Sequence, residues 1–315
     1  TLTAWGAPRI GGHYGGSPNW IARYALAVFP LEDAQAGLPA AAQETNVYVD
    51  SLKRLNALPA VKEEAAAPNS LTGDLDFCVR DLHYTYPGEE KPVLRGIDLT
   101  IPAGQKLAIL GKSGSGKSTL ASLLRGDRVP TSGTITLAGV DPASLGDAVA
   151  RYVGVINQAP YLFNTTVLNN LRIGNEAASE EEVWDVLAKV GLKETIEHLP
   201  DGLATMVDSA GLRFSGGERH RLALARILLA DTPIVLLDEP TVGLDPVTER
   251  AVMETFFTAP KGKTLIWITH HLQGVEQMDR VVFIEDGRLD MDGTPATLAK
   301  ENARYRRLKA ADEGR

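Results

Sequence analysis

Cysteine is all but missing: the 315 residues contain one, Cys78. A single thiol cannot close an internal disulfide or build a Cys-rich metal site, and it reads as a half-buried strand residue rather than a reactive nucleophile. A cytosolic compartment fits that usage. Long apolar runs are also missing. The nearest approach, Ile21 to Phe29, falls well short of the roughly 18 residues of a membrane span and contains Arg23. Thr1 to Trp20 is glycine-rich and lacks the basic start and apolar stretch of a secretory leader. The first residue is not methionine, so a fragment or a processed product is expected. Positive charge is not in excess either: 32 Lys+Arg against 40 Asp+Glu leave a formal −8. That balance argues against a dedicated nucleic-acid binder. Long internal repeats and low-complexity tracts are absent.

What is present is globular: 44% hydrophobic and 23% charged residues, in a chain whose length predicts about two domains. The texture changes near residue 70. Up to Asn69 the chain is alanine-rich and reads largely as helix, with Val47, Val49, Leu52, Leu55 and Leu58 near helical spacing. Leu58–Asn69 reads as a linker. The pairs Gly11-Gly12 and Gly15-Gly16 precede no strand–helix unit and read as coil. From Leu75 the pattern alternates. Phe77–Leu82, Gly96–Ile101, Lys106–Leu110, Thr134–Ala138 and Tyr152–Ile156 read as strands, as do Ile234–Leu237, Thr264–Ile268 and Val281–Ile284. Ser118–Arg125, Glu181–Val190 and Arg219–Ala230 read as helices. In the second of these, Val183, Trp184, Leu187 and Val190 form a core stripe. The order predicts an α/β core with an inserted helical segment.

Three motifs carry chemistry. Gly111-Lys112-Ser113-Gly114-Ser115-Gly116-Lys117-Ser118 fits G-x-x-x-x-G-K-[ST] between an apolar strand and a helix. Glycines let the backbone amides of Ser113, Gly114, Ser115 and Gly116 curl around a polyphosphate, and the helix start at Ser118 and Thr119 adds partial positive charge. Lys117 reaches the β- and γ-phosphates, and the Ser118 hydroxyl binds Mg²⁺. Next, Ile234–Leu237 ends in Asp238-Glu239, which brings two carboxylates to a sheet's carboxyl edge. Asp238 is assigned to Mg²⁺ and Glu239 to the water that attacks the γ-phosphate. Third, Phe214-Ser215-Gly216-Gly217-Glu218 opens a helix. Ser215 and Glu218 have capping-box spacing, which alone would explain them. Two glycines in a first helical turn are costly, and fit a site where something approaches the backbone closely.

The phosphate loop, FSGGE and LLDEPT, in this order, resemble the nucleotide-binding domain of ATP-binding cassette (ABC) transporters, over about Leu75 to Gly293. The resemblance implies a P-loop NTPase (RecA-like) core with an antiparallel β subdomain and an inserted α-helical signature subdomain, binding and hydrolysing ATP with Mg²⁺. It implies that two such domains pair head to tail, so that Ser215, Gly216 and Gly217 serve the nucleotide bound to the partner. Tyr86 resembles the aromatic that stacks on adenine. Gln158 resembles the glutamine that contacts Mg²⁺ and senses the membrane domain. Asp245 resembles the loop that crosses the dimer interface, and His270 the switch histidine at the γ-phosphate. His271 is expected to be a solvated neighbour. The departures are Phe214 and Glu218 in the signature, Val242-Gly243 in the crossing loop, and Asp208 as the sole acid near Ser209 where exporters often carry glutamate.

Gln158–Val167 followed by Asn169-Asn170-Leu171 resembles the exporter branch, whose half-transporters join membrane and nucleotide domains in one chain. Ala25–Ala34 and Asp50–Asn56 look like the end of a last membrane helix and its cytoplasmic extension. Residues 1–70 are therefore expected to be a helical remnant of the membrane domain plus linker, and 71–315 the ATP-binding domain. Arg213–Arg219 and Ile234–Asp245 look like the C-subunit branch of the bacterial heterodimeric thiol-reductant (cysteine/glutathione) exporters, which are implicated in cytochrome bd assembly. The expected partners are a second half-transporter and the membrane domain of a full-length chain, at the cytoplasmic face of the plasma membrane, with no nucleic acid. The rival readings are a soluble ABC ATPase of DNA repair or translation and a non-hydrolysing regulatory half.

Overall fold

A computed structural model describes residues 70–207, 214–241 and 243–313, all within one compact unit, Glu64–Arg315. The helical and linker expectations for residues 1–69, and those resting on Asp208, Ser209, Arg213 and Val242, lie outside the described residues.

Two sheets carry the domain. β1 (Phe77–Tyr84) pairs antiparallel with β2 (Leu94–Ile101) and β4 (Ser132–Leu137), giving a three-stranded sheet in the order β2-β1-β4. The second sheet runs β5-β6-β7-β3-β8-β9. In it β3 (Lys106–Leu110), β5 (Val153–Ile156), β6 (Ile234–Asp238), β7 (Thr264–Thr269) and β8 (Arg280–Glu285) are parallel. β9 (Arg288–Gly293) returns antiparallel to β8. The return is tight because Asp286 and Gly287 both take positive φ, 46° and 75°, as a two-residue hairpin turn requires. Cys78 lies half-buried on β1, as its context predicted.

The parallel strands are apolar throughout because both faces are covered. Alternate residues go to opposite cores. Leu107, Ile109, Ile234, Leu236, Ile266 and Ile268 face the antiparallel sheet and α1 (Lys117–Leu124). Ala108, Leu110, Val235, Leu237, Leu265 and Trp267 face the other way, toward the helices inserted between β5 and β6 and those that follow. The inserted helices are α2 (Val167–Arg172), α3 (Glu180–Lys189), α4 (Lys193–Glu197) and α5 (Gly216–Leu229). α6 (Pro246–Thr258), α7 (Pro295–Glu301) and α8 (Ala303–Glu313) come later. The predicted stripe on α3 is core: Val183, Leu187 and Val190 are fully buried and Trp184 packs against them. α3 starts with a complete Ser179–Glu182 capping box. No described helix is long and apolar enough to cross a membrane.

The helix predicted from Arg219 begins three residues earlier, at Gly216, because Ser215 caps it. Ala138 falls outside β4 because its φ is +50°, incompatible with a strand. Tyr152 falls outside β5 as the last residue of a 3₁₀ segment, Pro142–Arg151 plus cap.

Leu236 sits fully buried in β6, between β5 and β7 and two residues before the Asp238 carboxylate. Leu236→Ala is expected to cost about 2–5 kcal/mol of stability, read as a lower urea midpoint with an unchanged slope.

Candidate functional site

The carboxyl ends of the neighbouring strands β6, β7 and β3 supply the site. After Leu110 the chain turns through residues 111–116 into α1. Two glycines are required there. A Cβ on Gly111 would collide with the Ile284 carbonyl and lie 2.6 Å from Ser115 Oγ. Gly116 has φ +105°, and a Cβ there would stand 2.6 Å from Leu94 Cδ2. Gly116 is also the cap of α1, and no side chain bonds the helix's first amides. An uncapped helix start with a buried, unpartnered Ser115 hydroxyl beside it fits an anion rich in acceptor oxygens.

Lys117 is 4% exposed. Its ammonium donates to the carbonyls of Gly111 (2.8 Å) and Lys112 (3.0 Å) and lies 3.8 Å from Glu239 Oε1. Burial lowers its pKa, against the opposing pull of Glu239 and Asp238. The cation is held on its own loop, in the place an anion would draw it from.

Asp238 ends β6, and its Oδ1 accepts a long bond from the Ser118 hydroxyl, 3.4 Å. Burial, then the neighbouring Glu239 charge, raises its pKa; the Ser118 bond, Arg125 and Lys117 work the other way. Glu239 follows in a left-handed conformation, φ +48°. Such a backbone costs a non-glycine residue on the order of 1–3 kcal/mol and persists where the surroundings enforce it. Here its N–H is tied to the Ile268 carbonyl of β7 (2.9 Å). The turn sends its carboxylate back across the strand ends, where Oε1 lies 3.4 Å from His270 Nδ1. The oxygens of Ser118 and Asp238, in a cavity of about 370 Å³ that Gln158 also lines, form a hard donor set suited to a divalent cation. A neighbouring cavity of about 390 Å³ runs from Ser113, Gly114, Gly116 and Lys117 to Thr119 and Tyr86. The Tyr86 hydroxyl bonds Thr119 Oγ1 (3.1 Å).

The structure thus brings together Tyr86, the phosphate loop, Thr119, Gln158, Asp238, Glu239 and His270. It places Ser215, Gly216, Gly217 and Asp245 elsewhere, at the starts of α5 and α6. Ser215 and Glu218 form a full capping box. Asp245 caps α6, accepting from the N–H groups of Val247 and Thr248 (both 3.1 Å); hydrogen bonding from the Thr248 side chain first, and then from these amides, holds its pKa down. What approaches the two glycines within this chain is α6 and its lead-in. A Cβ on Gly216 would stand 2.7 Å from Leu244 Cδ2, and one on Gly217 would strike Thr248 Cγ2. His271, expected as a solvated neighbour, has 39% of its side chain exposed, and its Nδ1 also faces Asp312 Oδ1 at 3.4 Å.

Sequence reasoning missed three participants. Arg128 lies over the Tyr86 ring, 4.8 Å from its centroid, and bonds the Tyr84 hydroxyl at 3.0 Å. No motif flags it. His220, buried on α5, has its ring nitrogens 2.8 Å from the Gly216 carbonyl and 3.2 Å from that of Gln158. Burial lowers its pKa, so at neutral pH it carries one N–H for two acceptors. Its place one turn after Gly216 was the available signal. Buried Asn170 bonds both the N–H (2.8 Å) and the carbonyl (2.9 Å) of Phe163, and so pins the segment that follows Gln158.

The profile of the ABC transporter family matches residues 94–242. The chain is 50% identical over 297 residues to the glutathione/L-cysteine transport system ATP-binding/permease protein CydD of Bacillus subtilis, covering 93% of this chain and 51% of that protein. It is 35% identical to the corresponding CydC protein of Escherichia coli, covering 92% and 51%. A bacterial Atm1-family ABC exporter solved with ATP bound superposes with a TM-score of 0.76 at 28% identity, over 93% of this chain and 51% of that one. The chain spans about half the length of these relatives.

The raised pKa of Asp238 carries a stability signature. A carboxyl held above its ordinary 3.8 favours the fold while protonated and loses that contribution as pH rises through the folded value. Asp238→Asn is therefore expected to raise Tm at pH 7 above that of wild type. The gain should vanish below pH 3.8, as scanning calorimetry at several pH values would register.

Proposed function

The chain carries an ABC transporter ATPase domain that binds nucleotide, and from that premise we propose that residues 71–315 form the motor of a bacterial exporter. The observation that carries the hydrolytic reading is the position of the Glu239 carboxylate, 3.8 Å from the phosphate-loop ammonium of Lys117 and 3.4 Å from His270. Phosphoryl transfer leaves little covalent work to a protein, so placement of charge and water dominates. Tyr86 offers a ring face for adenine. The loop amides from Ser113 to Gly116 and the start of α1 at Ser118 and Thr119 cradle the phosphates, and Lys117 exchanges two carbonyls for phosphate oxygens. Mg²⁺ would be held by Ser118, Asp238 and Gln158, and would supply neutralisation of charge on the β- and γ-phosphates. Glu239 accepts a hydrogen bond from the attacking water and takes its proton. His270 holds that carboxylate and faces the γ-phosphate.

Ser215, Gly216, Gly217 and Asp245 stand apart from this cluster, and we assign them to the nucleotide of a second half-transporter packed head to tail. The capped start of α5 then presents its amides to the partner's γ-phosphate. The names of the CydD and CydC relatives support glutathione or cysteine as cargo; a heterodimer as the assembly and a role in cytochrome bd assembly rest on the sequence resemblance alone. The same relatives, as ATP-binding/permease proteins, support a membrane domain on the full-length chain, with this domain at the cytoplasmic face. The soluble-ATPase alternative finds no support among them.

Lys117→Ala should abolish Mg-ATP binding by calorimetry. Glu239→Gln should bind ATP as wild type yet hydrolyse it about 10²–10⁴-fold more slowly in a single turnover, with the partner's own phosphate-loop lysine disabled. Undiminished turnover would falsify the base assignment.

Ser215→Arg tests the placement in trans. It should leave ATP binding by the isolated chain unchanged and block ATP-driven association with the partner in analytical ultracentrifugation. Normal association would reduce Ser215 to the helix cap it forms in this chain.

A further inference from the structure

We propose that Asp312, on α8, is a positioning residue for His270 and, through it, for the Glu239 carboxylate; this rests on the hydrolytic reading above. His270 stands just past the end of β7, on a segment no longer in the sheet, with its side chain 40% exposed. On one side it borders a cavity of about 390 Å³ lying between the phosphate loop and α8, so that side leaves the ring free to turn. Besides its contact with Glu239, what constrains it comes from Asp312. One carboxylate oxygen of Asp312 accepts the Leu272 N–H at 2.7 Å, which fixes the backbone two residues on. The other faces His271 Nδ1 at 3.4 Å. The His271 ring in turn lies against the His270 ring, their centroids 4.0 Å apart. One side chain thus holds both the backbone and the ring surface on which His270 rests.

The carboxylate is placed to do this because α8 is firmly seated. Asp312 itself is only 14% exposed. Asn302 caps the first turn, its Oδ1 accepting the N–H groups of Arg304 and Tyr305 (both 3.0 Å). Tyr305 is buried, and Arg304 bridges Glu285 (2.5 Å) at the end of β8 and Asp290 (2.7 Å) within β9. Glu285 also lies 3.9 Å from the ammonium of Lys112 in the phosphate loop. α8 is therefore tied to the sheet beside the phosphate loop at one end and to the His270 segment at the other. A group far from Glu239 in the sequence sets its distance to the histidine. A displacement of about 1 Å at such a centre costs on the order of 10²-fold in rate.

The test compares wild type, His270→Ala, Asp312→Ala, Asp312→Asn and the His270→Ala/Asp312→Ala double variant, each assembled with the partner half-transporter whose own phosphate-loop lysine is disabled. Single-turnover hydrolysis, ATP affinity and the His270 ring resonances by NMR are measured on each. Asp312→Ala is expected to slow hydrolysis about 10- to 100-fold, to leave ATP affinity within about twofold of wild type, and to shift the His270 ring resonances. Asp312→Asn, whose amide oxygen still accepts the Leu272 N–H, should restore most of the rate. The double variant should be no slower than His270→Ala, since the two act as one unit. Unmoved His270 resonances, additive losses in the double variant, or an asparagine variant as slow as the alanine one would overturn the proposal. If His270→Ala hydrolyses at the wild-type rate while Asp312→Ala still shifts the His270 resonances, the positioning stands and it is the catalytic reading of His270 that fails.

Discussion

Everything at the site answers to one electrostatic constraint: a buried ammonium must sit beside two adjacent carboxylates without collapsing onto them. Lys117 is the cation, and Asp238 and Glu239 are the anions. The phosphate loop prevents collapse by offering two carbonyls nearer to Lys117 than either acid. The left-handed turn at Glu239 prevents it from the other direction by sending the second carboxylate toward His270. Burial disfavours the charged forms of both Lys117 and Asp238, and their mutual attraction recovers part of the loss. A polyanion with its counter-cation would relieve both at once. The charges of the site are thus matched to such a ligand.

The sequence was most legible where chemistry is dictated by a contiguous backbone. The phosphate loop, the apolar strand ending in Asp238-Glu239 and the positions of the parallel strands all depend on short runs whose composition has few other uses. β3 was read to the residue at both ends, because Lys106 and Gly111 bound an uninterrupted apolar run. Boundaries moved where a single dihedral or cap decided them, as at Ala138 and Ser215. Least legible were groups that act by tertiary approach. Arg128 reaches Tyr86 across a chain separation of 42 positions, and Asp312 reaches His271 across 41, with no spacing rule linking either pair. Glu239 was identified, but its left-handed backbone, which aims it, is written in no propensity.

The two helix starts at Gly216 and Pro246 show how one sequence signal can serve two ends. Each is capped by its own side chain, Ser215 or Asp245, so each would be satisfied without any ligand. Each also leans on the other, through Gly216 against Leu244 and Gly217 against Thr248. The glycines are already explained by that packing. A role toward a partner's nucleotide therefore does not follow from glycine alone; it draws on exposure of the paired starts together with the domain's relatives. His220 adds a further tie, joining the α5 start to the Gln158 backbone through a ring with one proton for two carbonyls. A change at Gln158 would reach the signature turn through that ring.

The strand order β6-β7-β3-β8 makes neighbours of segments far apart along the chain. The loop that enters β3 bonds Thr264 across 160 residues, and Leu107 pairs with Arg280. Contacts of that range form late, because the intervening chain must be ordered before they can form. On a ribosome, the phosphate loop would emerge long before β7 and β8 exist to flank it. A nascent chain would expose an apolar β3 and an unformed nucleotide cradle until nearly the whole domain had been made. Nucleotide capture would then mark the completion of synthesis rather than an early step in it, and the newborn domain would need shielding during that interval.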